Sequence, residues 1–143
     1  MYCQRFFDWN SKKSRQPVSS SPASEMPRSG STESQEALIH IAQTRFPDKG
    51  FCIVQQWTIV RAIASDADLT KIHVHGHLQL FVFAEKVILD SRGRFDYGNW
   101  VRSTMGISFQ DGFLFETKNT VYVLMGDGDE KSVSLAAILS LYQ

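Results

Sequence analysis

Three histidines alternate in the stretch "KIHVHGHLQLFVF", Lys71 to Phe83, at His73, His75 and His77. On an extended strand successive Cβ atoms point to opposite faces, so the three imidazoles would share one face. Three imidazoles with a water in the fourth position form the ligand set of a catalytic zinc, at about 2.0–2.1 Å per Zn–N bond. Glu85 or Glu116 would then be at hand as a general base. Against this, Gly76 interrupts the run and permits a bend that spoils the shared face. No carboxylate follows at the spacing of the cupin metal motif, since Glu85 comes eight residues after His77. The stretch also follows a polar turn, where solvated imidazoles cost nothing. It reads first as the entrance to a strand, with a metal-binding protein or small metal-dependent enzyme as the alternative.

A second cluster lies in "DSRGRFDYGNWVR", Asp90 to Arg102, which holds three arginines, two aspartates and three aromatic residues in thirteen positions. Arginine forks read carboxylates and phosphates bidentately, and arginine with aromatic rings is the composition of binding hot spots. The competing structural reading has Asp90 capping the turn, Asp96 pairing with an arginine, and Trp100 in the core. As a contact surface the candidates are Arg92, Arg94, Tyr97, Trp100 and Arg102, helped by Lys118 in the hairpin "ETKNT". Glu116 in that hairpin would need a second carboxylate for acid–base work, from Asp90 or Glu85, and turn chemistry accounts for the same residues.

Other motifs are weaker. "GDGDEKS" lacks the alternating ligands and the twelfth-position Glu of a calcium loop, and no Gly-Lys-Ser/Thr makes it a phosphate loop. It reads as a solvated lead-in to a helix. Cys52, inside the apolar "GFCIVQQW", reads as a small buried hydrophobe. With Cys3 it makes neither a disulfide framework nor a zinc knuckle. No Ser-His-Asp or Cys-His arrangement is evident, so no catalytic residue and no cofactor is assigned.

The elements that must position these residues follow from periodicity. Residues 11–34 contain nine serines and three prolines and almost no large apolar side chains, so residues 1–32 read as a disordered leader. Within it, the serine-rich stretch is preceded by an aromatic "YCQRFFDW" that could dock as a short linear segment. A single domain over residues 33–143 then begins with "TESQ", a capping box at Thr32, and a helix ended by Pro47. "FCIVQQWTIVRAI", "HLQLFVFAEKVIL", "VRSTMGISF", "FLFET" and "TVYVLM" read as strands. "ASDADLT" is a polar turn between the first two, and "QDG" is the clearest hairpin signal. "GDGDEK" ends the sheet, and a closing helix starts near Ser132. The expected fold is α+β, an antiparallel five-stranded meander, bent or closed into a half-barrel, with an N-terminal and a C-terminal helix packed on it.

The run from Val87 to Gly128 carries an Asp-Ser-x-Gly-Arg turn, a Gly-x-Trp-Val-Arg-Ser stretch, a Thr-x-Asn-Thr-Val-Tyr hairpin and a Gly-x-Gly end. In this it resembles a family of small uncharacterised bacterial domains found in pseudomonads and in phage-associated or mobile contexts. The resemblance implies that the loop and the two hairpins form one module, and that the protein is an accessory factor. It supplies no catalytic residues.

Composition narrows the function classes. Fifteen Lys and Arg balance fifteen Asp and Glu, which argues against nucleic acid as the partner, including single strands stacked on exposed Tyr and Phe. The same balance permits self-association into a homo-oligomer. No apolar run approaches the roughly 20 residues of a membrane span, and the start lacks the pattern of a signal peptide, so a cytoplasmic setting is expected. The leading expectation is a non-enzymatic module that binds a protein partner, as a modulator or inhibitor.

Overall fold

A computed structural model describes residues 25–141. Its elements are β1 (Glu25–Ser29), α1 (Gln35–Arg45), β2 (Gly50–Ile63), α2 (Asp66–Val74), β3 (Leu80–Asp90), β4 (Val101–Arg102), β5 (Ser108–Gln110), β6 (Leu114–Glu116), β7 (Thr120–Leu124), β8 (Asp127–Ser134) and α3 (Leu135–Ser140). All eight strands join one curled, half-barrel sheet.

β2 is the spine. β3 runs antiparallel along one of its edges, from Cys52↔Asp90 to Arg61↔Leu80. The other edge is shared: Gly50–Val54 pairs in parallel with β7, and Thr58–Ile63 pairs in parallel with β8. The sheet therefore forks. β6 and β5 continue from β7 by antiparallel pairing, whereas β1 lies antiparallel on β8.

The residues at the fork explain it. Gln56 holds a left-handed backbone (φ 55°), and Gly126, between β7 and β8, has φ 73°. Trp57 fills the gap, with Nε1 donating to the Met125 carbonyl at 3.2 Å. Gly128 lies so close beneath the indole that a Cβ there would overlap it. The turn at Gln56 shifts the alternation of β2 by one residue. Cys52 and Val54 then share a face with Trp57 and Ile59, in a core completed by Val82, Val87, Phe115 and Leu124. On the opposite face Phe51 and Ile53 pack under Leu38 and Ala42 of α1, and Val60 and Ala62 pack with Ile138 of α3. Gln56→Gly removes the left-handed penalty of about 1 kcal/mol and restores part of it as chain entropy. We expect a net gain of about 0.5 kcal/mol, read as a higher urea midpoint.

Several expectations are corrected. The sheet has eight strands in mixed order, because β2 finds parallel partners far along the chain, and hairpin signals cannot reveal these. Of the leader, residues 1–24 lie outside the described residues, but Glu25–Ser29 is a strand against β8. The first helix starts two residues later than Thr32 suggests: Ser34 is the N-cap, its hydroxyl accepting from the Ala37 amide at 3.2 Å. "ASDADLT" is no turn. Ser65 caps α2 by accepting from the Asp68 amide at 3.2 Å, and Asp66 and Asp68 sit in the first turn, where the helix dipole favours them. "VRSTMGISF" is interrupted, with only Val101–Arg102 and Ser108–Gln110 paired. All of "GDGDEKS" after Gly126 lies in β8, so the closing helix begins at Leu135, capped by Ser134. The "QDG" hairpin forms, with Asp111 (φ 56°) and Gly112 (φ 77°) turning the chain. Arg45 at the end of α1 fastens it, donating to Asp111 Oδ2 at 2.7 Å and to Gln110 Oε1 at 2.9 Å.

Candidate functional site

The arginine-rich connection between β3 and β4 is fastened from within. Asp90, the last residue of β3, has a fully buried side chain, and Arg94 closes a fork over it: Nη2 to Oδ1 at 2.8 Å, Nε to Oδ2 at 3.1 Å. The Arg94 amide adds a third bond to Oδ2 at 2.7 Å. Bidentate pairing of this kind fixes orientation as well as charge. Burial pushes the Asp90 carboxyl up, but the Arg94 side-chain and backbone hydrogen bonds outweigh it and hold the group below its ordinary value. Arg94 Nη1 also donates to the Thr120 hydroxyl at 3.2 Å, so the clamp reaches β7.

Backbone bonds complete the loop. The Ser91 amide donates to the Phe51 carbonyl, and the Phe51 amide to Ser91 Oγ, both at 2.8 Å. Further along, the Gly98 amide donates to the Val87 carbonyl at 2.8 Å, and the Val87 amide to the Asn99 carbonyl at 2.6 Å. The loop thus covers the outer edge of β3, with Gly93 (φ 65°) and Gly98 (φ 86°) supplying backbone angles that other residues resist.

This arrangement divides the candidate residues. Arg94 is the internal clamp. Trp100 packs on Val60, Phe81, Phe83 and Ile138, and the Arg102 terminal nitrogens are closed off from solvent. Arg92, Tyr97 and Lys118 remain on the surface. Tyr97 is 68% exposed, with Lys86 Nζ 5.1 Å from its ring centroid. Arg92 lies along Gly50, where any Cβ would collide with its side chain. Lys118 sits in the turn leading to Thr120, and hence at the same end of the sheet. Lys86 escapes a reading of the sequence because only the path of the loop back along β3 brings it to Tyr97.

The histidines do not share a strand. His73 is in the last turn of α2 and His75 is its C-cap, with Nδ1 2.7 Å from the Lys71 carbonyl. His77 follows, its amide bonded to the Ile72 carbonyl at 3.0 Å. Among the described residues no three His, Cys, Asp or Glu side chains gather into a group that could hold a metal ion. Glu85 is exposed on β3. Glu116 is committed elsewhere: Lys49 Nζ donates to Oε2 and to the Thr117 carbonyl, and Ser108 Oγ donates to Oε1 at 2.8 Å. Burial pushes the Glu116 carboxyl up, but the Lys49 and Ser108 hydrogen bonds outweigh it, keeping the group below its usual value and making it a poor proton acceptor. The pocket beside it, lined by Phe46, Pro47, Asp48, Lys49 and Glu116, holds about 150 Å³, well short of the roughly 300 Å³ at which small-molecule sites begin. Burial pushes the Cys52 thiol up to about 12, which removes it as a nucleophile. No helix among the described residues is long and apolar enough to cross a membrane.

Comparison with curated proteins and with solved structures finds no match. A family model does match residues 28–140, a span that includes the fork, the clamped loop and all three helices. The chain therefore belongs to the family described as a domain of unknown function, DUF6957.

Proposed function

We propose that this domain is a non-enzymatic protein-binding module whose contact surface is the exposed part of the β3–β4 loop, Arg92 and Tyr97, flanked by Lys86 and Lys118. The observation that carries this reading is the division of labour in the loop. The bonds from Arg94 to the buried Asp90 carboxylate and those to β2 and β3 fix its backbone, while a ring and a guanidinium stand outward. A surface ordered in advance loses little conformational entropy on association. Tyrosine and arginine are also the side chains that most often dominate binding energy. The cationic flank suits an acidic patch on the partner. The resemblance to small bacterial domains from mobile contexts supports an accessory role, as a modulator or inhibitor.

The test places a photo-crosslinking phenylalanine derivative at position 97 in the full chain, expressed in its native cells. One adduct of discrete mass is expected, with its yield falling about tenfold in an Arg92→Ala background, the loss of one hot-spot contact. A label at Gln43, exposed on α1, should give none. No adduct from position 97, or the same adduct from position 43, overturns the assignment.

A further inference from the structure

We propose that two copies of this chain pair about a twofold axis through the end of β2. Ile63 meets its counterpart on the axis, and the arginines held by Glu130 in each copy meet Asp66 and Asp68 of the other. This surface lies at the opposite end of β2 from the arginine loop, and it stands or falls independently of the function proposed for that loop.

The cationic half of the surface is built around Glu130, which stands in register between Met26 of β1 and Ile59 of β2. Arg61 Nε donates to its Oε2 at 3.0 Å, and Arg28 Nη2 pairs with its Oε1 at 3.4 Å. The Glu130 side chain is only 10% exposed, against 39% for Arg28 and 45% for Arg61. Solvent therefore meets two cations above one sunken anion, a net positive charge. Each guanidinium carries five N–H donors, so the contacts to Glu130 leave donors over. Ala62 packs with Ile138 of α3, so its neighbours Arg61 and Ile63 face the opposite side of β2, where α3 cannot cover them. Ile63 is 58% exposed there, and Met26 is exposed on the same face of β1.

The acidic half follows at once along the chain. Beyond Ile63 the chain passes into α2, whose first turn carries Asp66 and Asp68, both exposed. Cation, apolar side chain and acid thus come in order at Arg61, Ile63 and Asp66. Where two strands cross antiparallel at Ile63, positions equally far before and after it oppose each other. Arg61 of one copy is then set against Ser65 of the other, one position short of Asp66, and the length of an arginine side chain spans that offset. A twofold contact makes every such pairing twice, because the same patch serves on both sides. The occupant is a second copy because one chain holds both halves of the charge pairing, with the exposed Ile63 between them. Fifteen basic residues balance fifteen acidic ones, so little net repulsion keeps two copies apart.

The test follows the mass of the full chain by multi-angle light scattering across a concentration series. The parent should move from the mass of one chain to that of two. Ile63→Asp, at an exposed position outside the Glu130 contacts, should hold it at one. Arg61→Glu and Asp66→Lys each bring like charges together twice, and each should weaken pairing by about a hundredfold. Mixed with one another, these two variants should pair again, since one contact is then reversed in sign and the other is native. A parent that stays at the mass of one chain, an Ile63→Asp chain that still pairs, or a mixture that fails to recover overturns the proposal. Arg61→Glu sets a second carboxylate beside Glu130, so its amide spectrum is compared with the parent's. If that fold is lost, Ile63→Asp and Asp66→Lys, neither of which alters the Glu130 contacts, decide the outcome: pairing that survives either one overturns the proposal.

Discussion

Replacing Trp57 with alanine should cost about 4 kcal/mol, the range for a buried large aromatic residue. The side chain is almost wholly enclosed and stands where β7 and β8 part, touching Gly128 and bonded to the Met125 carbonyl. Its loss opens a cavity at the one point where both halves of the sheet meet, and leaves that carbonyl without its indole donor. Net stability for a domain of this size is about 5–15 kcal/mol, so a large share of the total is at stake. In urea, with a slope of about 2 kcal/mol per molar, the midpoint should fall by roughly 2 M. Trp57→Phe keeps most of the volume and loses the hydrogen bond, so a drop of about 1–2 kcal/mol is expected. A Trp57→Ala midpoint within 0.5 M of the parent would show that the fork is held by its backbone pairing alone.

The second large effect is expected from Arg94→Ala. Breaking a buried ion pair by removing one partner costs about 3–5 kcal/mol. Arg94 is 35% exposed while Asp90 is fully enclosed, so water screens part of the pair, and about 2–3 kcal/mol is the better expectation. The pH dependence carries the sign. In the parent the Asp90 carboxyl is held below its ordinary value, so its stabilisation is complete above the unfolded value near 4 and disappears as pH falls through the lower folded value. In Arg94→Ala the side-chain bonds and the guanidinium charge are lost while the backbone amide bond to the carboxylate remains, so the folded carboxyl rises back towards its unfolded value. That variant should gain less stability than the parent as pH rises through 4, a flatter slope. Urea titrations between pH 3 and 6 compare the two directly, and parallel curves would show that Arg94 does not govern Asp90. Amide exchange across residues 91–99 should quicken in the same variant, because the loop loses its anchor.

How much of this was legible depends on where each residue finds its partner. α1 could be read because its apolar stripe and Pro47 are local, although its cap is Ser34 rather than Thr32. β3 and the "QDG" hairpin announce themselves by apolar runs and by turn residues. β8 gives no such sign. Its Asp129 accepts from Thr58, and Glu130 takes two arginines, so a charged octapeptide becomes a strand through side chains some seventy positions earlier or more. α2 was hidden for the opposite reason: none of its residues is fully buried and only Leu69 and Ile72 are half-buried, too short a stripe to stand out as a hydrophobic period. In the loop, residue type alone marked Arg92 and Arg94 alike. Only the three-dimensional path shows that one binds Asp90 and the other faces water.

The tandem seating of β7 and β8 on a single edge of β2 has a bearing on how the chain is made. During synthesis residues 50–63 leave the ribosome well before anything that can lie along that edge, since their parallel neighbours begin at Thr120. Until then the spine of the domain has an unsatisfied flank, and closing it means joining segments about seventy positions apart, which topology makes slow. The domain is thus completed by its own last quarter, and a nascent chain that stalls before that point holds a half-built sheet with a bare row of amides and carbonyls.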